Sequence, residues 1–435
     1  MTQKHDGFYF RTEWLSTFVM GCLLGVQLPF LTLIAQDEAV RVTDGAPIAL
    51  KVAKILTCSD NPDVPAFIAD GVILMRDGKI EAIGSVREIE IPADYQVIEH
   101  PDGFAMPGLV EAHSHVGGTS DLNEMVYPTN PELRNWDQII PHNDQMKVAI
   151  AGGITTICFI PGSGTNMGGF GTLMKTGPGT LNEVIIKAPG VLKIAQAGNP
   201  ERGTGEVGSG RMGMNYVIRQ ELKEGQLYHR QWEAFEQGKA PEPKFNLRLE
   251  NFRPLFRREI PVAVHTQQYQ VVMATIRMLH DEFNLKILID HGTFDAFHLG
   301  EELAKREIPV MAGPRAFLLD RDLGQVRGIV DEYEKRGVQV LGVNTDAPVI
   351  PQEELAFQAT MAVRYGWSDE RAIRGVTIEV AKALMIEDRV GSLDVGKDAD
   401  VVVATGSLID PRNYVNQVFI NGKSIYDTKV DRRRF

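Results

Sequence analysis

The stretch PGLVEAHSHVGG, Pro107 to Gly118, decides how this chain folds. An apolar run, Phe104 to Val110, leads into it, and His113 and His115 stand two residues apart. On a strand, residues i and i+2 project to the same face. A strand continuing through Ser114 therefore brings both imidazoles to one side, as two ligands of one metal ion need. Imidazole suits zinc, iron, nickel or copper better than magnesium or calcium. Two polar histidines in a surface turn would share this spacing, so the weight falls on the rest of the chain.

Downstream, short apolar runs alternate with amphipathic helices, the rhythm of a parallel sheet wrapped by helices. The β-like runs are 154–162, Gly190 to Ala195, 260–268, Lys286 to Asp290, Ile308 to Ala312 and Val338 to Val343. Val272, Ile276, Leu279 and Phe283 share one helical face, and Glu301 to Arg306 opens a further polar-sided helix. With the run at 104–116, an eighth strand within Thr172 to Ile186 completes an α/β (β/α)8 TIM-type barrel. Short β runs flank it: Ala49 to Thr57, Gly71 to Met75, Lys79 to Ile83 and Gln96 to Glu99 before, Asp398 to Ala404 and Gln417 to Tyr426 after. Asp77-Gly78 and Asn421-Gly422 supply tight hairpin turns. These flanks read as two halves of one small split β-sandwich. The expected division is 46–103 for its first part, 104–385 for the barrel, 386–427 for its second part and 428–435 as a tail.

The N-terminus reads as an address. No charged residue occurs from Leu15 to Gln36, with Lys4 and Arg11 upstream and Ile34-Ala35-Gln36 resembling a cleavage region. Residues 1–36 are expected to be an export signal or, if retained, a membrane anchor, the only membrane contact foreseen. An exported protein, periplasmic, cell-surface or secreted, is the expectation. The formal charge of −12, with no basic block before the terminal arginines, argues against a nucleic-acid partner. Cys22, Cys58 and Cys158 fit no zinc-finger spacing, and no disulfide is expected.

On a barrel, side chains converge where strands end at the C-terminal face. Reading each run to its end gives His113 and His115, then Lys193, His265, His291 and Asp346. Apolar runs usually close on Gly, Pro, Asn or Ser, so a succession of ionisable residues is informative. Histidines with one aspartate make a nitrogen and oxygen ligand set for one or two divalent ions.

At this point the chain resembles the amidohydrolase superfamily of metal-dependent hydrolases, close to its imidazolonepropionase-like and prolidase-like branch. PGLVEAHSH is similar to the family's first-strand signature, AVHTQQ and IDHGTF to its fifth- and sixth-strand histidines, and GVNTDAP to its eighth-strand aspartate. RVGSLDVGKDADVVV and VFINGKSIYD match its closing β segment. Glu111 departs from the usual aspartate two residues before the first histidine. The resemblance implies His113, His115, His265, His291 and Asp346 as ligands of a divalent metal, zinc being the expected ion. Lys193 stands where many relatives carry a carboxylated lysine bridging two metals. Its place among Val191, Leu192 and Ile194 favours that role over a lysine that merely packs its stem. Without the bridge, the site would hold a single ion.

The implied chemistry is hydrolysis of a C–N bond in an amide, cyclic amide or dipeptide. A divalent ion supplies hydroxide at neutral pH, His291 helps polarise the carbonyl, and Asp346 is general base and then acid. Deaminating relatives place a glutamate shortly after the fifth-strand histidine, but here Thr266, Gln267 and Gln268 follow His265. A lactone or ester hydrolase, or a binding scaffold that kept the fold, are the other readings. Loops after the strands, long and glycine-rich at 117–145, 162–180 and 198–215, are expected to recognise the substrate, and Arg202, Arg211 and Arg315, near strand ends, are candidate clamps for its carboxylate. The expected partner is a small molecule, and a homo-oligomer is compatible with the sequence.

Overall fold

Eight strands carry the barrel: β1 (Leu109–Ser114), β2 (Ile154–Phe159), β3 (Met167–Lys175), β4 (Ile185–Ala195), β5 (Val262–Thr266), β6 (Ile287–His291), β7 (Val310–Ala312) and β8 (Leu341–Val343). The structure is a computed structural model that describes residues 45–119, 122–196, 198–201, 207–321 and 323–432. The proposed export segment 1–36 and Arg202 lie outside the described residues.

The strands hydrogen-bond in chain order into one sheet. Its two ends meet through a parallel bridge between Ser114 and Ala347, supported by the His115 N–H donating to the Ala347 carbonyl at 2.9 Å. Every residue of β1, β2, β5 and β6 is buried, as expected of strands covered on both faces. Val110, Ala112, Cys158, Leu173, Val191, Ala263, Leu288 and Met311 form one cluster inside the ring, joined by Val380 and Ala381 of the helix Ile378–Ala383. The opposite faces of the same strands pack outward against the surrounding helices.

One strand departs from the expected parallel plan. β3 begins at Met167, not within Thr172 to Ile186, and runs antiparallel to both β2 and β4. The physical reason is the length of its connections. A parallel crossover takes about a dozen or more residues, and the segments 160–166 and 176–184 are too short for one. The centre of the glycine-rich stretch 162–180, Met167 to Lys175, is therefore strand rather than loop.

The segments flanking the barrel join, but as one continuous hydrogen-bonded seven-stranded sheet rather than the two sheets of the expected sandwich, because Gln96–Pro107 pairs on both edges and links the early strands to the late ones. Its order is Lys423–Asp427, Val415–Ile420, Val401–Ala404, Gln96–Pro107, Ile48–Leu56, Phe67–Arg76, Lys79–Ser85. The central strand Gln96–Pro107 pairs parallel with Ile48–Leu56 and antiparallel with Val401–Ala404. Residues 104–107 thus belong to this sheet, and the barrel starts at Leu109 rather than at 104. Gly108 marks the passage: a Cβ there would lie 2.1 Å from Thr155 Oγ1. The barrel is pinned to the sheet by Lys175 at the end of β3, whose buried ammonium meets Asp398 at 2.9 Å and Asp400 at 2.5 Å.

Candidate metal centre

Two local devices bring side chains to one end of the barrel. The first is strand parity. Val191, Ala263 and Leu288 face the interior, so Lys193, His265 and Asp290, two residues further along β4, β5 and β6, face it as well. The second is a turn of the backbone at the end of a strand or shortly after it. His291 has φ +72° and Asp346 has φ +52°, a left-handed conformation uncommon outside glycine. It swings His291 and Asp346 toward the same point.

There His113 is the hub. Its Nε2 lies 3.2 Å from His115 Nε2, 3.1 Å from Lys193 Nζ and 3.2 Å from Asp346 Oδ1. His115 Nε2 is 3.3 Å from the same Asp346 oxygen. The His291 ring centroid is 4.7 Å from that of His113 and 4.5 Å from that of His265. Ligand atoms of His113, His291 and Asp346 all lie within 4.8 Å of one another. His100, His142, His229, His280 and His298 stay outside this group. His229 lies within the helix Arg211–Glu236, stacked on Phe256, and His100 lies in a strand beside Gln417.

The donor set fits a divalent cation. His115 Nδ1 donates to the Ile160 carbonyl at 2.9 Å and His291 Nδ1 to the Gly313 carbonyl at 2.8 Å. A ring that gives its Nδ1 proton away keeps a lone pair on Nε2, the arrangement of metal-binding imidazoles. His291 Nε2 and both nitrogens of His265 are buried without a hydrogen-bond partner among the described residues. Buried polar atoms are nearly always paired, so orphaned nitrogens in one cluster are the donor chemistry that a divalent cation fits.

Electrostatics agree for His265, His291 and His115, while for His113 the Asp290 and Asp346 carboxylates outweigh burial and raise the ring. Burial pushes the His265 ring well below the usual histidine range, with the His291, Lys193 and His113 side chains adding to it. Burial, with His113 beside it, takes His291 down to about 4, and burial also lowers His115. These rings are neutral, as ligands must be. Burial lowers Lys193 as well, favouring an uncharged amine. Burial alone would raise Asp346, but the His113 and His115 imidazoles beside it hold it far below the usual carboxylate range. Its side chain is 18% exposed against 0% for His113, so Asp346 is the member that meets solvent.

Two buried carboxylates support the cluster from behind. Glu111 Oε1 accepts from the His113 N–H at 3.0 Å, while its Oε2 accepts from the Thr345 N–H at 3.0 Å and the Thr345 hydroxyl at 2.6 Å. One side chain thereby clasps β1 to the segment after β8; burial outweighs these bonds and brings its carboxyl up to about 7. Asp290, 2.9 Å from His113 Nδ1, is the second, and the strand-end reading does not single it out. Its signal was the parity of the run Ile287 to His291, in which Asp290 and not His291 shares the face of Leu288.

The arginines sit at the rim. Arg211 begins a long helix, exposed, donating to Glu201 and Gln268 at 2.9 Å each. Arg315 is exposed over the Phe294 ring at 5.1 Å.

Fold and site together define a barrel protein with a strand-end centre suited to a divalent ion. Comparison with known proteins gives the family. The Amidohydrolase family model matches residues 265–425. The crystal structure of an amidohydrolase from Thermotoga maritima MSB8 is similar at 30% identity and a TM-score of 0.77, covering 87% of this chain and 100% of that one. Amidohydrolase tasK of Hapsidospora irregularis is 25% identical over 84% of this chain, which spans 40% of that protein's length. An imidazolonepropionase of Brucella anthropi is 23% identical, covering 81% of this chain and 91% of its own. The chain belongs to the amidohydrolase superfamily.

Proposed function

We propose that this chain is a metal-dependent hydrolase of C–N bonds, acting on a small amide, cyclic amide or dipeptide, and exported from the cell that makes it. The observation that carries this reading is the gathering of His113, His291 and Asp346 ligand atoms within 4.8 Å of one another, beside the orphaned ring nitrogens of His265 and His291. His113, His115, His265, His291 and Asp346 would hold one or two zinc-type ions, with Lys193 as a carbamate bridging two. When bound, such an ion supplies Lewis acidity that polarises a carbonyl and makes water acidic enough to ionise near neutral pH. Asp346, ionised and facing the opening, takes the proton of the attacking water and returns it to the departing nitrogen, so that one water is consumed and an acid and an amine are released. Gln267 and Gln268 cannot shuttle an ionisable proton, which favours hydrolysis over deamination.

Metal counting on the purified protein and on Lys193→Ala tests the site. Two ions falling to one supports the bridge; a single ion unchanged by the substitution removes it, and a metal-free active protein ends the proposal. Panels of amides, dipeptides and lactones, with Arg211→Ala and Arg315→Ala compared for carboxylate-bearing members, test the substrate class.

A further inference from the structure

Asp290 and His113 are each completely buried, and His113 Nδ1 lies 2.9 Å from Asp290 Oδ2. The two atoms meet off the line that a strong hydrogen bond would take, and among the described residues neither has another hydrogen-bond partner. A carboxylate stripped of water needs a donor, and this imidazole is the one within reach. The contact is also unlike its neighbours. His115 and His291 lean on backbone carbonyls, whereas the hub ring leans on a charged group, the stronger acceptor.

We propose that Asp290 is a positioning residue for the cation site: its carboxylate keeps the His113 proton on Nδ1, so that Nε2 faces the cluster with a free lone pair. Asp290 acts through His113 and touches neither substrate nor reacting atoms. An uncharged isostere loses this control, because an asparagine can offer its NH2 to Nδ1 and move the ring proton to Nε2, where it blocks a ligand. The proposal rests on reading the cluster as a metal centre.

The test measures zinc affinity by chelator competition in the full chain, for wild type, Asp290→Asn, His113→Ala and the double variant. Wild type must first bind zinc stoichiometrically; if it does not, the metal reading itself fails. Given binding, Asp290→Asn is expected to weaken affinity about 10–100-fold while the chelator-treated protein melts as wild type does. In the His113→Ala background the same change should add less than about twofold, since two residues acting through one ring are not additive. Equal affinity in Asp290→Asn, or full additivity in the double variant, overturns the inference. Should Asp290→Asn fail to fold, 15N-histidine spectra of the wild type decide, assigned with His113→Gln: a proton on Nδ1 of His113 supports the proposal and one on Nε2 overturns it.

Discussion

Two clusters of buried charge occupy this barrel, and their difference separates structure from chemistry. Lys175, at the end of β3, meets two aspartates, and Asp398 is further held by Lys79 at 2.6 Å and Arg389 at 2.8 Å. Every charge there has an opposite, and the cluster is complete as it stands. Lys193, on the neighbouring strand and equally buried, has an imidazole nitrogen at 3.1 Å and no carboxylate within ion-pair distance among the described residues. Around it, ring nitrogens go unpaired. The first cluster joins two parts of a fold; the second is arranged for something that arrives.

Breaking the second cluster should cost rate, and breaking the first should cost stability. Asp346→Asn removes the proposed proton carrier and is expected to lower kcat by about 10²–10⁴-fold, with an unchanged circular-dichroism spectrum; wild-type turnover would remove Asp346 from the chemistry. Lys175→Met leaves Asp398 and Asp400 short of a buried partner and should destabilise the fold by about 3–5 kcal/mol, read by denaturant unfolding, without altering metal content. Lys193→Ala reverses that pattern if the comparison holds. The smallest effect is a titration. The His291 ring, with its pKa down at about 4 in the fold, is neutral there while the unfolded ring protonates from about 6.5. Its contribution is whole above pH 6.5 and shrinks as pH falls toward 4. In chelator-treated protein, the stability gap between wild type and His291→Asn should therefore narrow by about 1 kcal/mol between pH 7.5 and 5.5. A gap that widens in acid would mean the ring is charged in the fold.

How far these features could be read in advance depended on the kind of signal. The strand-end residues His113, His115, Lys193, His265, His291 and Asp346 stood out because ionisable groups rarely close apolar runs, and the structure brings them to one place. The split sheet was legible from its Asp-Gly and Asn-Gly turns. The reversal of β3 was not, because an apolar run carries no direction and only the length of its connections betrays it. The overrun of the sheet strand to Pro107 was hidden for a similar reason, since Phe104 to Val110 reads as one continuous run. Asp290 is masked in the sequence by His291, the more conspicuous ligand type, which closes the same run. Parity would have placed Asp290 inward, while the inward turn of His291 depends on a positive φ that its residue type does not announce.

The Glu111 clasp has a consequence for assembly. One carboxylate grips the backbone of His113 near the beginning of the ring and Thr345, next to Asp346, at its end. A chain whose first and last strands have not yet met owns every donor but has no centre. Whatever loosens this one side chain therefore loosens the closure of the ring and the spacing of His113 and Asp346 together.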